Sequence, residues 1–144
     1  MSAEARGLKH GQLTERIIGV FYEVYNELGR EFLESVYEQD MLIALSDAGL
    51  RVECQFPLNV TFRGRLIGDF RADLIVEHSV ILELKATAGI DPGHEAQLLN
   101  YLRATEIEVG IVLNFGPKPQ FKRMVFENSR KQIRVHSRKS AAGT

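Results

Sequence analysis

The stretch that constrains the fold most runs from residue 69 to residue 87, DFRADLIVEHSVILELKAT. It contains two apolar runs separated by a short polar interruption. Strand side chains alternate between the two faces of a sheet, so the second run has one apolar face, made of Val80, Leu82, Leu84 and Ala86. The other face carries Glu83 and Lys85 beside Ile81, and we expect both charges to be half-buried. A half-buried charge on a central strand is costly unless it is paired or binds a metal.

The length of the hairpin loop decides whether two acids meet. With a three-residue loop, Asp73 faces Glu83 directly, at about 5 Å between Cβ atoms. Two carboxylates at that distance repel each other, and a cation between them relieves the repulsion. With a two-residue loop, Asp73 pairs with Leu84 and the acids lie on opposite faces. A metal site therefore requires the three-residue loop, and the alternative is an ordinary strand pair with a salt bridge from Lys85 to one acid.

The composition is that of a globular protein. A chain of 144 residues with 44% hydrophobic residues is typical of one domain with its own core. Cys54 is the only cysteine, which excludes a disulfide framework and a cysteine-rich zinc site. No apolar run approaches the roughly 20 residues of a membrane span. The first twelve residues lack the apolar core of a signal peptide, so we expect a cytoplasmic protein.

The charge is unevenly distributed. A net charge of −1 argues against a strong non-specific polyanion binder. Residues 117–139 nevertheless carry eight Lys or Arg and one acid, whereas the rest of the chain carries ten basic and eighteen acidic residues. This basic segment is either a phosphate-binding flank or a solvated tail.

Apolar periodicity and turn residues indicate the elements. Helical spacing predicts three helices, at residues 13–28, 32–48 and 94–105. Strand-like runs lie at residues 51–62, 66–76, 80–87, 109–115 and 121–127, and residues 130–137 form another strand or a tail. In the first strand, alternate positions from Val52 to Phe62 are apolar, which predicts one buried face that includes Cys54. Pro57 predicts that this strand lies at an edge or contains a bulge.

The order of these elements predicts an α/β fold with a mixed central sheet flanked by helices. The first three strands form an antiparallel meander, and the fourth follows a crossover helix that makes it parallel to a meander strand. We divide the chain into a flexible lead-in at residues 1–12, one domain at residues 13–128 and a basic tail at residues 129–144.

Three further polar residues lie on predicted helix faces. Glu34 lies in the first turn of the second helix, where the helix dipole alone would favour an acid. Gln97 and Tyr101 are four residues apart and share one face of the third helix. Without a function they would be a helix rim with a buried ring. His94, at the start of the same helix, is more typical of a cap than of a ligand.

Several ordered motifs together resemble a known group, the PD-(D/E)XK nuclease superfamily with its restriction-endonuclease-like fold. They are the order of elements, the Asp73…Glu83-x-Lys85 constellation and the Gln97-x-x-x-Tyr101 pair. The resemblance implies a mixed sheet built from an antiparallel meander plus a crossover strand.

A narrower resemblance is to the small bacterial GxxExxY proteins, over about residues 13–127. It rests on FLESVY, GDFRADLIVEHSVILELKA, HEAQLLNYLRAT and VGIVLNFG. Glu34 and Tyr37 match the name motif, but its glycine falls at Glu31. A glycine before the second helix suggests a special backbone angle or a close approach at that position.

The resemblance implies a magnesium- or manganese-dependent phosphodiesterase that acts on nucleic acid, with DNA the first candidate. Hard carboxylate oxygens suit Mg²⁺, which takes one or two acids, several waters and a substrate phosphate. Asp73 and Glu83 would hold the ion, the Leu84 carbonyl is a candidate third ligand, and Glu34 would be an outer ligand or bind a second ion.

The remaining roles follow the same resemblance. Lys85 would orient or deprotonate the attacking water and balance charge, and Gln97 and Tyr101 would position the water or a phosphate oxygen. One alternative is a catalytically silent module of the same fold that binds nucleic acid or protein. Another is a structural homodimer whose charged strand face makes interface salt bridges. Recruitment to a larger complex is compatible with the nuclease and with the module.

Overall fold

The computed structural model describes residues 9–131, apart from the side chains of residues 59–62, 67 and 69. Within that range the chain forms three α-helices, five strands and one short 3-10 turn. In chain order they are α1 (Gly11–Leu28), α2 (Glu34–Asp47), β1 (Val52–Phe62), β2 (Arg65–Val76), β3 (Val80–Lys85), α3 (Pro92–Ala104), β4 (Val109–Phe115), β5 (Pro119–Val125) and the turn Asn128–Arg130.

The five strands form one mixed sheet in the order β1-β2-β3-β4-β5. β3 and β4 are parallel, and the other neighbouring pairs are antiparallel. The α3 crossover makes the parallel pair possible, because strands that run the same way need a long connection between them. The predicted α/β fold with a meander and a crossover strand is confirmed, and most element ends differ from the predicted ones by one or two residues.

Two apolar clusters lie on opposite faces of the sheet. The first lies under α1 and α2 and includes Phe21, Tyr37, Leu74, Leu82 and Phe115. The second lies under α3 and includes Ile75, Ile81, Leu98, Leu102 and Val112. β3 and β4 contribute to both clusters, so they are buried on both faces, as their nearly continuous apolar sequences predict.

The apolar face predicted for β1 is only partly correct. β1 is an edge strand, as Pro57 predicts. Val52 packs on the first cluster, whereas Phe56 and Leu58 pack on the second. Between them Gln55 has a φ of 50°, in the left-handed region, and the strand changes face there. Cys54, predicted to be in the core, is exposed.

α3 begins with a capping box that involves His94. The His94 N–H donates to Asp91 Oδ1 at 3.1 Å, and the Asp91 N–H donates to His94 Nδ1 at 3.2 Å. Pro92 occupies the first turn, where its missing N–H costs nothing. His94 is therefore a cap residue, as expected from the sequence.

The ends of the domain differ slightly from the sequence division. α1 begins at Gly11, two residues before the predicted start. Lys131, inside the predicted tail, is buried, and its Nζ donates to the carbonyl oxygens of Thr105 and Ile107 at 3.0 and 2.7 Å. Most of the predicted lead-in and tail, residues 1–8 and 132–144, lies outside the described residues, as does most of the optional strand at 130–137.

The loop between α1 and α2 is held in place by Tyr37. Its hydroxyl donates to the Gly29 carbonyl oxygen at 2.6 Å and accepts from the Phe32 N–H at 3.3 Å. Its ring stacks on Phe115 with centroids 4.2 Å apart. Within this loop Glu31 has a φ of 78°. The position therefore needs the left-handed backbone that a glycine adopts freely, which agrees with the special angle expected there.

We predict that Glu31→Gly raises the free energy of unfolding by about 1 kcal/mol. A residue with a Cβ costs roughly 1–2 kcal/mol in the left-handed region, and the larger entropy loss of glycine offsets part of that gain. Urea unfolding measures the change. The control is Arg30→Gly, at a neighbouring residue outside the left-handed region, which should not stabilise the protein. A less stable Glu31→Gly variant would contradict the strained backbone.

Candidate functional site

The hairpin between β2 and β3 brings Asp73 and Glu83 together. The observed register pairs Val76 with Val80 and Leu74 with Leu82, so the loop has the three residues that the metal-site hypothesis requires. By the same count Asp73 is the next residue opposite Glu83. Of the two registers that the sequence leaves open, the structure has the one that brings the two acids together.

At Asp73 and Glu83, carboxylates replace the ladder of backbone hydrogen bonds. The Asp73 N–H donates to Glu83 Oε2 at 3.0 Å, and the Leu84 N–H donates to Asp73 Oδ2 at 2.8 Å. Regular pairing of the two strands ends one residue earlier, at Leu74. Ala72 packs on the second cluster and Leu74 on the first, so β2 changes face at Asp73. This twist separates the strands and makes room for the two acids.

Burial makes the acid pair electrostatically unfavourable. Glu83 is only 3% exposed. Burial, together with the neighbouring charge of Asp73, raises the pKa of Glu83 to about 8. The pKa of Asp73 is raised as well, chiefly by burial. The nearby positive charge offsets this effect only in part, and a divalent cation would offset it further.

Lys85 lies on the same face and is the nearby positive charge. It is half-buried, and its charge lowers the pKa of both Asp73 and Glu83. Within residues 9–131 no ion pair shorter than 4 Å joins Lys85 to either acid. The alternative of an ordinary strand pair with a direct salt bridge is therefore not what this hairpin forms, and the ammonium group remains available to another partner.

Glu34 reaches the end of β3 from the first residue of α2. Its Oε2 accepts a hydrogen bond from the Ala86 N–H at 3.1 Å. Its charge also contributes to the raised pKa of Asp73. The hydroxyl of Tyr37 holds the loop that precedes α2, so this tyrosine helps to position Glu34, the first residue of the helix. The structure thus places Glu34 beside the acid pair, bound to a backbone amide.

Gln97 and Tyr101 approach the same acids from α3. Gln97 Nε2 donates to the Tyr101 hydroxyl at 3.0 Å. Burial raises the pKa of Tyr101, and the charges of Glu83 and Asp73 raise it further. The phenol therefore stays protonated, and its own proton is not used in the bond from Gln97. It can donate to an anionic oxygen near the acids.

Sequence reasoning missed two residues of this site, Glu38 and Gln55. Gln55 Nε2 donates to Glu38 Oε1 at 2.7 Å, and the Gln55 side chain also bonds the Asp73 carboxylate. Burial raises the pKa of Glu38, and the charges of Asp73 and Glu34 add to this. One sequence signal was available for Glu38, which follows Glu34 by one helical turn. Gln55 lies opposite Asp73 in the observed β1–β2 register.

The donor set fits a hard divalent cation. Within residues 9–131 no three His, Cys, Asp or Glu side chains are gathered closely enough to form a metal site by themselves. Mg²⁺, however, takes one or two protein carboxylates and fills its other positions with water and phosphate oxygens. Asp73 and Glu83 supply that pair of carboxylates, and the negative charge left on them favours a cation.

Comparison with known proteins gives a family and a fold. The family model described as the PD-(D/E)XK nuclease superfamily matches residues 11–124. A solved structure titled "Crystal structure of SSO0001" superimposes with a TM-score of 0.51 at 16% sequence identity, over 75% of this chain. This chain spans 56% of the length of that one. No functionally curated protein matches the sequence significantly.

None of the helices in the described part of the chain has the length and apolar composition needed to cross a bilayer.

Proposed function

Because the chain belongs to the PD-(D/E)XK nuclease superfamily, we propose that it is a metal-dependent nuclease that hydrolyses phosphodiester bonds of nucleic acid. The observation that carries this proposal is the Asp73–Glu83 pair, a half-buried and a buried carboxylate whose pKa values burial raises. Buried like charges are retained where they have a function, because a purely structural core would be more stable without them.

Asp73 and Glu83 are the residues that would hold the divalent ion, Mg²⁺ or Mn²⁺. Nucleases of this superfamily generally use divalent metals, and a bound ion supplies Lewis-acid polarisation of a phosphoryl oxygen. The Leu84 carbonyl remains a candidate third ligand. Glu34, which accepts a hydrogen bond from the Ala86 N–H just after β3, is the candidate outer ligand. Glu38 adds to the negative charge of the same site.

The cationic and neutral residues act on the water and the phosphate. The Lys85 ammonium group, whose charge lowers the pKa of both acids, would orient the attacking water and offset the charge that develops on the phosphate. Tyr101 would donate its proton to a phosphate oxygen, and Gln97 fixes the phenol in that orientation. The substrate class is nucleic acid, and DNA is the first substrate to test.

We predict that the wild-type protein binds Mn²⁺ at millimolar or lower concentration and that Asp73→Asn weakens this binding at least tenfold. The asparagine keeps the size of the side chain and removes its negative charge. Isothermal calorimetry measures the affinity. The matched control is Asp47→Asn, an exposed residue at the end of α2, which should bind Mn²⁺ like wild type.

The same samples separate the nuclease from the catalytically silent module. Labelled single- and double-stranded DNA and RNA are incubated with each variant and Mn²⁺. The nuclease hypothesis is supported if wild type cleaves a substrate and the Asp73→Asn variant does not. The proposed function would be overturned if the folded wild-type protein bound no metal at millimolar concentration and cut none of the four substrates. The catalytically silent module would then be the remaining alternative.

A further inference from the structure

A groove of about 670 Å³ lies beside the acid pair, between β2 and the exposed face of α3. Phe70 forms one wall, and Gln97, Asn100, Tyr101 and Arg103 line the other along the helix. A groove of this size accommodates a small organic group such as one nucleotide. Gln97 and Tyr101 belong both to this groove and to the proposed catalytic site, so the two are continuous.

Phe70 is presented to the groove rather than buried beneath it. Its side chain is 46% exposed, and its ring centroid lies 6.0 Å from that of Tyr101. The ring lies against the backbone of Gly68, because a Cβ on Gly68 would be 2.3 Å from Phe70 Cε2. The glycine thus lets the ring lie along the strand. An exposed aromatic ring held in this way is a surface on which a base can stack.

The polar residues of the groove suit the rest of a nucleotide. The amides of Gln97 and Asn100 can donate to and accept from the edge of a base. Arg103 also lines the groove. Its guanidinium group lies over the Phe126 ring, 5.6 Å from the centroid, and guanidinium groups bind phosphate oxygens. A strand whose scissile phosphate lies at the acid pair would therefore place its neighbouring base between Phe70 and α3.

Resting on the proposed function, we propose that this groove binds one unpaired nucleobase of the substrate strand, next to the phosphate that is cut. A base inside a duplex is already stacked on both faces and paired along its edge, so it cannot enter the groove without being extruded. The substrate class that fits is a single strand or an unpaired end. In this arrangement the acid pair serves cleavage of the phosphodiester bond, and the groove selects unpaired strands as substrates.

The test is binding of fluorescent ten-residue oligothymidylate and oligouridylate, and of a ten-base-pair duplex, measured by anisotropy in EDTA. Phe70→Leu should weaken binding of the single strands five- to hundredfold, since stacking on one aromatic ring contributes that much. Phe70→Tyr keeps the ring and should bind like wild type. Phe121→Leu, at a phenylalanine on β5 that is 40% exposed, is the matched control and should also bind like wild type.

A second variant guards against misfolding at position 70. Ala96 is exposed and lines the groove, so Ala96→Trp fills the groove from the helix surface without touching either core. It should weaken single-strand binding at least fivefold and leave duplex binding within twofold.

The outcomes distinguish the two proposals. If wild type cleaves nucleic acid while Phe70→Leu and Ala96→Trp bind single strands as tightly as wild type, the groove proposal is overturned and the nuclease stands. If wild type binds single strands through Phe70 but cuts nothing, the groove stands and the nuclease fails. The groove proposal would also be overturned if wild type bound neither single strand, or if it bound the duplex more tightly than both single strands.

Discussion

Glu83→Gln is expected to stabilise the metal-free protein by about 3–5 kcal/mol at pH 8. Glu83 is buried beside Asp73, and its pKa is raised from 4.5 to about 8. Each pKa unit corresponds to about 1.4 kcal/mol of differential stability between folded and unfolded chains. Glutamine has nearly the same shape and can still accept the hydrogen bond from the Asp73 N–H, so the variant loses the buried charge and little else.

The sign of the pH dependence follows from the direction of the shift. Between pH 4.5 and about 8 the folded chain holds a proton on Glu83 that the unfolded chain has released. The contribution of this group to stability is therefore complete below pH 4.5 and is lost as the pH rises to about 8. The difference in stability between the variant and wild type should grow over that window. The raised pKa of Asp73 leaves part of the slope in the variant.

Urea unfolding in EDTA at pH 5, 6.5 and 8 measures this difference. Glu23→Gln, at an exposed position on α1, is the control and should change stability little at any of the three pH values. Adding Mn²⁺ at pH 8 should stabilise wild type more than Glu83→Gln, because an ion that binds only the folded state stabilises it by mass action. A difference between the variants that is constant from pH 5 to pH 8 would contradict the buried, charged pair.

Lys85→Met is expected to reduce nuclease activity by at least about 10²–10³-fold, the loss typical of removing one group that stabilises charge in a transition state. Methionine retains much of the aliphatic stem and removes the ammonium group. The same change removes the positive charge that lowers the pKa of Asp73 and Glu83. Metal binding at neutral pH should therefore weaken as well.

Single-turnover cleavage of a labelled strand at saturating Mn²⁺ separates these two effects, because weaker metal binding is overcome there. Lys122→Met, at an exposed lysine on β5, should cut like wild type. A folded Lys85→Met protein that cuts within tenfold of wild type would remove Lys85 from the mechanism.

Side-chain alternation reduced the register of the site to two choices, but the sequence did not decide between them. A loop of three residues puts Asp73 opposite Glu83, and a loop of two residues separates them. The observed pairing of Val76 with Val80 selects the loop of three residues. The resemblance to the GxxExxY proteins, whose glycine falls at Glu31, suggested either an unusual backbone angle or a close approach there, and the structure has the unusual angle.

The residues that β1 and α2 contribute to the site, Gln55 and Glu38, could not be predicted in the same way. Alternation predicts one buried face along β1, but the left-handed φ of Gln55 rotates the strand and exposes Cys54. No local pattern in residues 51–62 specifies that rotation, because it depends on pairing with β2 at the point where β2 also turns. Glu38 accepts a hydrogen bond from Gln55, so this contact depends on the rotated strand.

The substitution of carboxylates for ladder bonds has a spectroscopic consequence. The amide protons of Asp73 and Leu84 each end on a carboxylate oxygen rather than on a strand carbonyl. The chemical shifts of their nitrogen and proton nuclei should therefore change whenever Glu83 or Asp73 gains a proton or an ion. The chemical shifts of amides deeper in the same strands should not change. The hairpin carries two intrinsic NMR probes, and each reports the charge state of one acid.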